Sequence, residues 1–328
     1  MPVTLPFQIS VVIPVYNAAK FVEAAVASAL QFEEVKEVLL VDDAGPDDGL
    51  AICEAMALRE PRVKLLRHPG GVNKGAAESR NLGILHATQE YIAFLDADDY
   101  FLPNRFIEER AVFQEHPDAD GVYGAIAPHY YDAEGEARFR RMFGSEITTV
   151  HERVAPELLF GGLNGGIPGF GYFHLDALTV KRSAVMGMDR LMRKEIHLHE
   201  DTDFILRLAW YARLYPGSID APIAMRGVHG DNRISSSEFS ARTQFMLYKC
   251  LWQWALQAGV DQAITERYHY RYRLYAVGSA SSRFGAFRRA LRYREYLKKY
   301  DYRDELIGRL VGQGTRAASW LHKITSRP

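Results

Sequence analysis

YIAFLDADD, residues 91–99, is a short apolar run that ends abruptly in four positions holding three carboxylates. A run of this length, rich in β-branched and aromatic residues and closed by acids, reads as a buried strand with polar groups at its carboxyl end. The same pattern occurs twice upstream. ISVVIPV at 9–15 ends in Tyr16-Asn17, and EVLLV at 37–41 ends in Asp42-Asp43 and the turn-rich AGPDDG. VKLL at 63–66 reads as a further strand. Helical spacing fills the intervals: Phe21, Val22, Val26, Ala29 and Leu30 after Asn17, which offers an N-cap; then Leu50–Leu58 before Pro61; then Lys74–Thr88. The order βαβαβαβ predicts an α/β fold with a mostly parallel sheet and helices on both faces. Ligands of such sheets bind at the carboxyl ends of the strands, where Tyr16-Asn17, Asp42-Asp43 and Asp96–Asp99 fall.

In Asp96-Ala97-Asp98 the acids are two residues apart. Continued strand alternation would turn both carboxylates to one spot. Two hard oxygen donors there suit Mg²⁺ or Mn²⁺ bridging to a substrate phosphate. Acidic turns after strands are common, so the pair alone is not diagnostic. A carboxylate in Asp42-Asp43 suits the imide N–H of a uracil, or a nearby arginine, and its bland reading is a turn pair. Arg80, on the helix that follows NKG at 73–75, suits Asp43 or a phosphate.

PVYN at 14–17, VDDAGPDDG at 41–49, NKGAAESRNLGI at 73–84 and LDADD at 95–99, in that order and spacing, resemble the family 2 glycosyltransferases of the GT-A fold. The resemblance spans roughly residues 8–235. The chain departs from it at Ala44 and Pro46, where the family usually has glycine and threonine. It implies inverting, metal-dependent transfer of a sugar from a nucleotide-diphosphate donor, a UDP-sugar suiting the aspartate, to a hydroxyl acceptor. Carried over residue by residue, Pro14, Tyr16, Asn17, Asp42 and Asp43 hold the nucleotide. Arg80 resembles the arginine that braces the base-reading aspartate. Asp96 and Ala97 face the ribose or metal waters, Asp98 ligates Mn²⁺ or Mg²⁺, and Asp99 is structural. The family's general base lies in an acid pair opening a helix, here Glu200-Asp201 in HEDTD at 199–203, with Asp201 the base and Glu200 the alternative. Without the upstream motifs, both acids would simply suit a helix N-terminus. In MRGVHGDNRIS at 225–235, His229 resembles a late family histidine near the diphosphate and metal, and Arg233 a phosphate clamp. His197-x-His199 beside two acids has zinc-like chemistry but lacks the helical HExxH spacing.

Val122–Ile126 and Leu178–Lys181 read as strands, and 201–211 as a helix. GGLNGGIPGFG at 161–171, six glycines in eleven residues, reads as a mobile or tightly turning loop rather than a helix. It lacks the Lys-Ser/Thr of a P-loop, and no GxGxxG follows the first strand, which disfavours a dinucleotide oxidoreductase. Phe170, Tyr172 and Phe173 suit either a sugar face or core packing.

The chain has 328 residues, 48% hydrophobic and 25% charged, with a formal net charge of −1, so it is globular and gives no global case for nucleic-acid binding. Cys53 and Cys250 form no CxxC pair. The first residues show no basic-plus-apolar leader, and no run reaches 18 apolar residues, which predicts a cytoplasmic enzyme without a membrane span. Length suggests two parts: residues 1–235 as catalytic domain, and 236–328 as a helical extension over 239–258, 262–281, 284–300 and 303–323. Residues 267–299 carry ten Lys or Arg against the one acid Glu295. The basic helix 284–300 suits a peripheral contact with the inner face of a membrane, or a solvated face on a helical subdomain. The same helices offer an oligomer contact. Expected partners are the nucleotide-sugar donor and a glycan, glycolipid or other hydroxyl acceptor in polysaccharide or glycolipid assembly. The competing readings are a nucleotidyltransferase on a related fold and a non-catalytic membrane-surface protein with a vestigial nucleotide site.

Overall fold

The four apolar runs become adjacent parallel strands. A computed structural model of the chain describes residues 7–142, 146–230 and 241–276. In it β1 (Ile9–Val15), α1 (Val22–Leu30), β2 (Val35–Asp42), α2 (Gly49–Arg59), β3 (Val63–Arg67), α3 (Ala76–His86) and β4 (Tyr91–Phe94) alternate as the sequence predicts. β1 pairs in parallel with both β2 and β4, and β2 with β3. Val11, Ile13 and Val15 turn to one core with Val22, Ala25, Val26 and Ala29 of α1. Val12 turns the other way, toward α3, as strand alternation requires. There a Cβ on Gly83 would stand 2.4 Å from Val12 Cγ1, so only glycine lets α3 lie this close to β1. Each fully buried Val, Leu or Ile contributes roughly 1.5–3 kcal/mol, which makes these central strands the anchor of the fold. Asn17 does not cap α1. It adopts φ 51°, and the Ala19 N–H is met instead by Asp47 Oδ2 at 2.7 Å, because the β2–α2 loop folds over the end of β1.

The chain continues through β5 (Tyr100–Phe101), α4 (Ile107–Glu115), β6 (Gly121–Tyr123), β7 (Ala125–Tyr130), α5 (Ala133–Met142) and α6 (Pro156–Gly161). Then come β8 (Leu178–Lys181), α7 (Arg182–Met186), α8 (Glu200–Tyr211), β9 (Leu214–Pro216) and β10 (Pro222–Val228). The large sheet has the order β3-β2-β1-β4-β8-β6-β9, and a small sheet has the order β5-β10-β7. β8 runs antiparallel to both β4 and β6, so its N-terminal end meets the carboxyl end of β4. The expected single strand Val122–Ile126 is in fact two strands in different sheets. Gly124 separates them, where a Cβ would meet Ile223 Cδ1 at 2.6 Å and Ser218 O at 2.9 Å.

The glycine-rich stretch is corrected over 161–166, while 167–171 turns as expected, with Gly169 and Gly171 at φ 68° and 85°. α6 opens on Pro156 and runs into a single π-helical turn over Gly162–Gly166, with Gly165 at φ 78°. A Cβ on Gly162 would stand 2.9 Å from the Phe170 ring. Glycine serves close packing there. Phe170 and Phe173 are buried, and Phe173 stacks on Tyr123 at 4.5 Å, so of the three aromatics only Tyr172 is exposed to a ligand.

By its contacts the chain divides into two compact units, Met1–Ser236 and Ser237–Pro328. In the second, α9 (Ala241–Ala258) and α10 (Gln262–Ala276) form a hairpin turned at Gly259, φ 67°. Trp252 of α9 stacks on His269 and Tyr272 of α10 at 4.4 and 5.4 Å. The basic helix expected over 284–300, the helix over 303–323 and Arg233 lie outside the described residues. No helix among the described residues is long and apolar enough to cross a membrane.

Candidate active site

The carboxyl ends of β1, β2 and β4 form one edge, and the polar ends predicted for those strands meet along it. Asp43 N–H donates to Val15 O at 2.9 Å, tying the β2 loop to the end of β1. The Asp43 carboxylate is buried and accepts the backbone N–H groups of Lys74 at 2.6 Å and Gly75 at 2.9 Å, just before α3. An acid at that helix N-terminus is favoured by the helix dipole and by its unsatisfied N–H groups. Asp42, also buried, accepts Arg67 Nε at 3.3 Å. Tyr16 stands 54% exposed beside them, Pro14 is half-buried, and the Ala97 side chain is buried in the core beneath. Asn17 and Ala44 both have left-handed backbone, at φ 51° and 55°. With Leu198 at φ 67°, they are the only non-glycine residues among the described ones to do so. Asn17 is itself a sequence-predicted site residue, Ala44 follows Asp43 and Leu198 stands two residues before Glu200, and strain of this kind collects at functional sites.

Arg80 does not brace Asp43. It lies more than a turn into α3, past the N-terminus that holds Asp43, and its guanidinium donates to Asp96 Oδ1 at 2.5 Å. The same group stands 3.8 Å from Glu200 Oε1. Burial pulls its pKa down, but Asp96, Glu200 and Asp201 outweigh burial and raise it. A buried, permanently charged guanidinium therefore joins the β4 acids to the acid pair that opens α8. Asp201 is half-buried, and its Oδ1 accepts its neighbour Thr202 N–H at 2.7 Å, which sets the carboxylate's direction. Two residues on, Asp203 is fully buried and holds Arg193 at 2.6 Å and Arg207 at 2.8 Å, pinning α8 to the loop before it. Burial lowers the pKa of His199, and His197 is exposed, so the two imidazoles face different surroundings.

β4 ends at Phe94, and Asp96–Asp99 turn, with Asp99 N–H donating to Asp96 O at 3.1 Å. Strand alternation therefore does not govern Asp96 and Asp98. Asp96 goes to Arg80, while Asp98 Oδ2 stands 3.2 Å from His229 Nε2. The His229 ring stacks on Phe21 at 4.7 Å, with Tyr131 edge-on at 6.1 Å. Beneath this pair lie three residues the sequence reading did not mark as a group: Asp99, His174 and Asp176. Their ligating atoms fall within 4.8 Å of one another. Burial and the neighbouring carboxylate of Asp176 push the Asp99 carboxyl well above the usual range. Burial also works to raise Asp176, but His174, a hydrogen bond from Asp99 and Arg80 hold it low. The His174 pKa is raised by Asp176 against the effect of burial. In sequence Asp176 is only an acid before a short strand, and nothing there signals that it is buried.

Asp98 and His229 present a carboxylate oxygen and an imidazole nitrogen to one place, partly exposed at 29% and 14%. That donor set fits a divalent cation of the Mn²⁺ or Mg²⁺ kind, Mn²⁺ accepting nitrogen more readily. Arg80, Asp96, Glu200 and Asp201 form a second group beside it, and the Asp43 loop a third.

Comparison with known proteins shows the family and the fold of the chain. The family model for glycosyl transferase family 2 matches residues 10–180, just over half of the chain. The glycosyltransferase GlyG of Streptococcus pneumoniae is 38% identical over 154 residues, 46% of this chain and 48% of that protein. The minor teichoic acid biosynthesis protein GgaA of Bacillus subtilis is 31% identical over 134 residues, 39% of this chain and 29% of that protein. The chain thus spans about half, or less, of the length of these relatives. The crystal structure of S. aureus TarS 1–349 in complex with UDP-GlcNAc superimposes with a TM-score of 0.62 at 20% identity, covering 81% of this chain and 72% of that one, which shows a shared fold. From its strand order, its acid-tipped β4 and the family match over residues 10–180, this chain belongs to glycosyl transferase family 2, with the GT-A fold.

Proposed function

We propose that this chain transfers a sugar, with inversion, from a UDP-sugar to a hydroxyl of a bacterial polysaccharide or glycolipid under assembly. One observation carries the reading: Arg80 joins Asp96, at the end of β4, to Glu200 beside Asp201 at the start of α8. A donor group and an acceptor group of acids thereby face one another across a single guanidinium. The acceptor class rests on GgaA, named for teichoic acid biosynthesis, and the donor on TarS, solved with UDP-GlcNAc. Residues 1–235 form the catalytic unit in this reading, and 236–328 an extension whose basic stretch suits an anionic membrane face.

The uracil lies against exposed Tyr16 and Pro14. Asp43 has already spent lone pairs on Lys74 and Gly75, and a carboxylate's remaining capacity suits one imide N–H. Asp98 and His229 would hold Mn²⁺ or Mg²⁺, which when bound neutralises charge on the leaving diphosphate. Asp96, fixed by Arg80, faces the ribose. Asp201 takes the proton of the acceptor hydroxyl as its oxygen bonds to the anomeric carbon from the face opposite the diphosphate. The carbon–oxygen bond to the diphosphate breaks, and its electron pair leaves with UDP. Arg80 stands against Asp96 and Glu200 with its positive charge while Asp201 gains the proton.

Thermal unfolding with a panel of nucleotides and nucleotide sugars tests the reading, since a ligand that binds only the folded state raises the melting temperature. UDP and one UDP-sugar, with Mn²⁺, are expected to give the largest rise, and the same UDP-sugar to be hydrolysed slowly. Release of pyrophosphate from a nucleoside triphosphate would replace it with nucleotidyl transfer. The β1–α1 connection, YNAAKF at 16–21, has no glycine-rich triphosphate loop to favour that alternative.

A further inference from the structure

Asp176 lies in the short 3-10 turn Leu175–Ala177 that leads into β8. Because β8 runs antiparallel to β4, this turn arrives where β4 ends and Asp96–Asp99 begin. The Asp176 residue is 1% exposed, and its Oδ1 accepts the Asp96 backbone N–H at 3.2 Å. Asp99 lies against the same carboxylate, and Asp99 Oδ1 accepts the Gly227 N–H at 2.8 Å. Gly227 is two residues before His229, and a Cβ there would stand 2.1 Å from the Asp98 carbonyl oxygen. One buried carboxylate thus reaches, directly and through one neighbour, the turn that carries Asp98 and the strand that delivers His229. Burying a carboxylate is costly, and an apolar residue would join β8 to β4 more cheaply. What the carboxylate adds is an acceptor for a backbone N–H at the turn and a partner for the acid that holds the strand.

We infer that Asp176 is a positioning residue for the cation site, setting the spacing of Asp98 and His229. The inference rests on the glycosyltransferase reading above and extends it to a residue without contact to donor or acceptor. Groups that orient metal ligands change metal affinity by about 10- to 100-fold when removed.

Calorimetry of UDP binding to the full chain, with and without Mn²⁺, tests it. In the wild type Mn²⁺ is expected to tighten UDP. Asp176→Ala is expected to raise the Mn²⁺ concentration needed for that effect by about tenfold or more, with metal-free UDP affinity within about twofold. Asp176→Asn keeps an oxygen for the Asp96 N–H and is expected to restore the Mn²⁺ requirement to within about threefold of the wild type. Gly227→Ala pushes the same two segments apart from the other side and is expected to reproduce the alanine phenotype. An unchanged Mn²⁺ requirement in Asp176→Ala, or equal loss of metal-free and metal-assisted binding, overturns the assignment. Should Asp176→Ala fail to fold, an unchanged Mn²⁺ requirement in Gly227→Ala overturns it. A wild type that binds no UDP, or binds it with no response to Mn²⁺, defeats the functional reading itself and takes this assignment with it.

Discussion

His229 Nε2 and Asp98 Oδ2 stand 3.2 Å apart although 131 residues separate them in sequence. Phe21, from the start of the chain, stacks on the imidazole and fixes its plane. If the pair holds the cation, His229→Ala removes a ligand while leaving the Asp43 loop intact. The Mn²⁺ concentration for half-maximal donor hydrolysis is then expected to rise by about tenfold or more, with metal-free UDP affinity little changed. An unaltered Mn²⁺ titration would remove His229 from the site.

Asp201 and Glu200 are adjacent but differently placed. Glu200 is buried near Arg80, while Asp201 is half-buried at the start of α8. Asp201→Asn keeps the shape and removes the proposed base, and its turnover is expected to fall by about 10²–10⁴-fold. UDP affinity should stay near wild type. Comparable turnover in Asp201→Asn, with a large loss in Glu200→Gln, would transfer the role to Glu200.

Ala44 occupies a left-handed conformation, φ 55°, at the position where the family usually carries glycine. The left-handed region costs an L-residue roughly 1–2 kcal/mol, against about 0.4–1 kcal/mol for the extra freedom glycine gives the unfolded chain. Ala44→Gly is therefore expected to stabilise the fold by about 0.5 kcal/mol, or a rise of about 1–2 °C in Tm. Chemical denaturation showing a loss of stability would contradict the strain assigned there.

Glu37 is 1% exposed at the foot of the sheet, away from the site edge, and is held by Ser10 at 2.6 Å, Thr88 N–H at 2.9 Å and Lys64. Burial raises its pKa, but Lys64, Ser10 and Thr88 together outweigh burial and keep it below the ordinary 4.5. A depressed folded pKa gives stability that is fully present above the unfolded value and lost as pH falls through the folded one. Glu37→Gln is expected to be less stable than wild type at pH 7 by about 1–3 kcal/mol, with the difference shrinking in acid. A difference that stays constant from neutral pH to below the folded pKa would show that the charge on Glu37 contributes nothing.

The parallel half of the sheet was legible because each strand is a continuous β-branched run ended by polar residues, as in Ile9–Val15 and Tyr91–Phe94. Asp43 and Asp98 were marked by motif and stand at the carboxyl edge of the sheet, and Asp201, also marked by motif, stands on α8 near Arg80. The partner of Arg80 was misread, because its angular position on α3 relative to Asp96 depends on how closely Gly83 lets the helix approach β1. Asp176 was invisible as a contributor for a topological reason. It reaches the β4 turn only because β8 enters the sheet antiparallel, and no local pattern in FHLDALTV states the direction of a strand. The glycine run misled over 161–166 because glycine's two uses, freedom and closeness, look alike in sequence.

Gly124 is the single residue between β6 in the large sheet and β7 in the small one, and only Leu95–Asp99 lie between β4 and β5. With residues 217–221, which join β9 to β10, the two sheets are riveted at three seams, one of which is the acid turn itself. A swing of one sheet against the other would tear the seam that holds Asp98. A rotation of one sheet against the other that spares two of these seams must strain the third. Motion along this edge then falls to exposed side chains such as Tyr16 and to loop segments, on picosecond-to-microsecond scales.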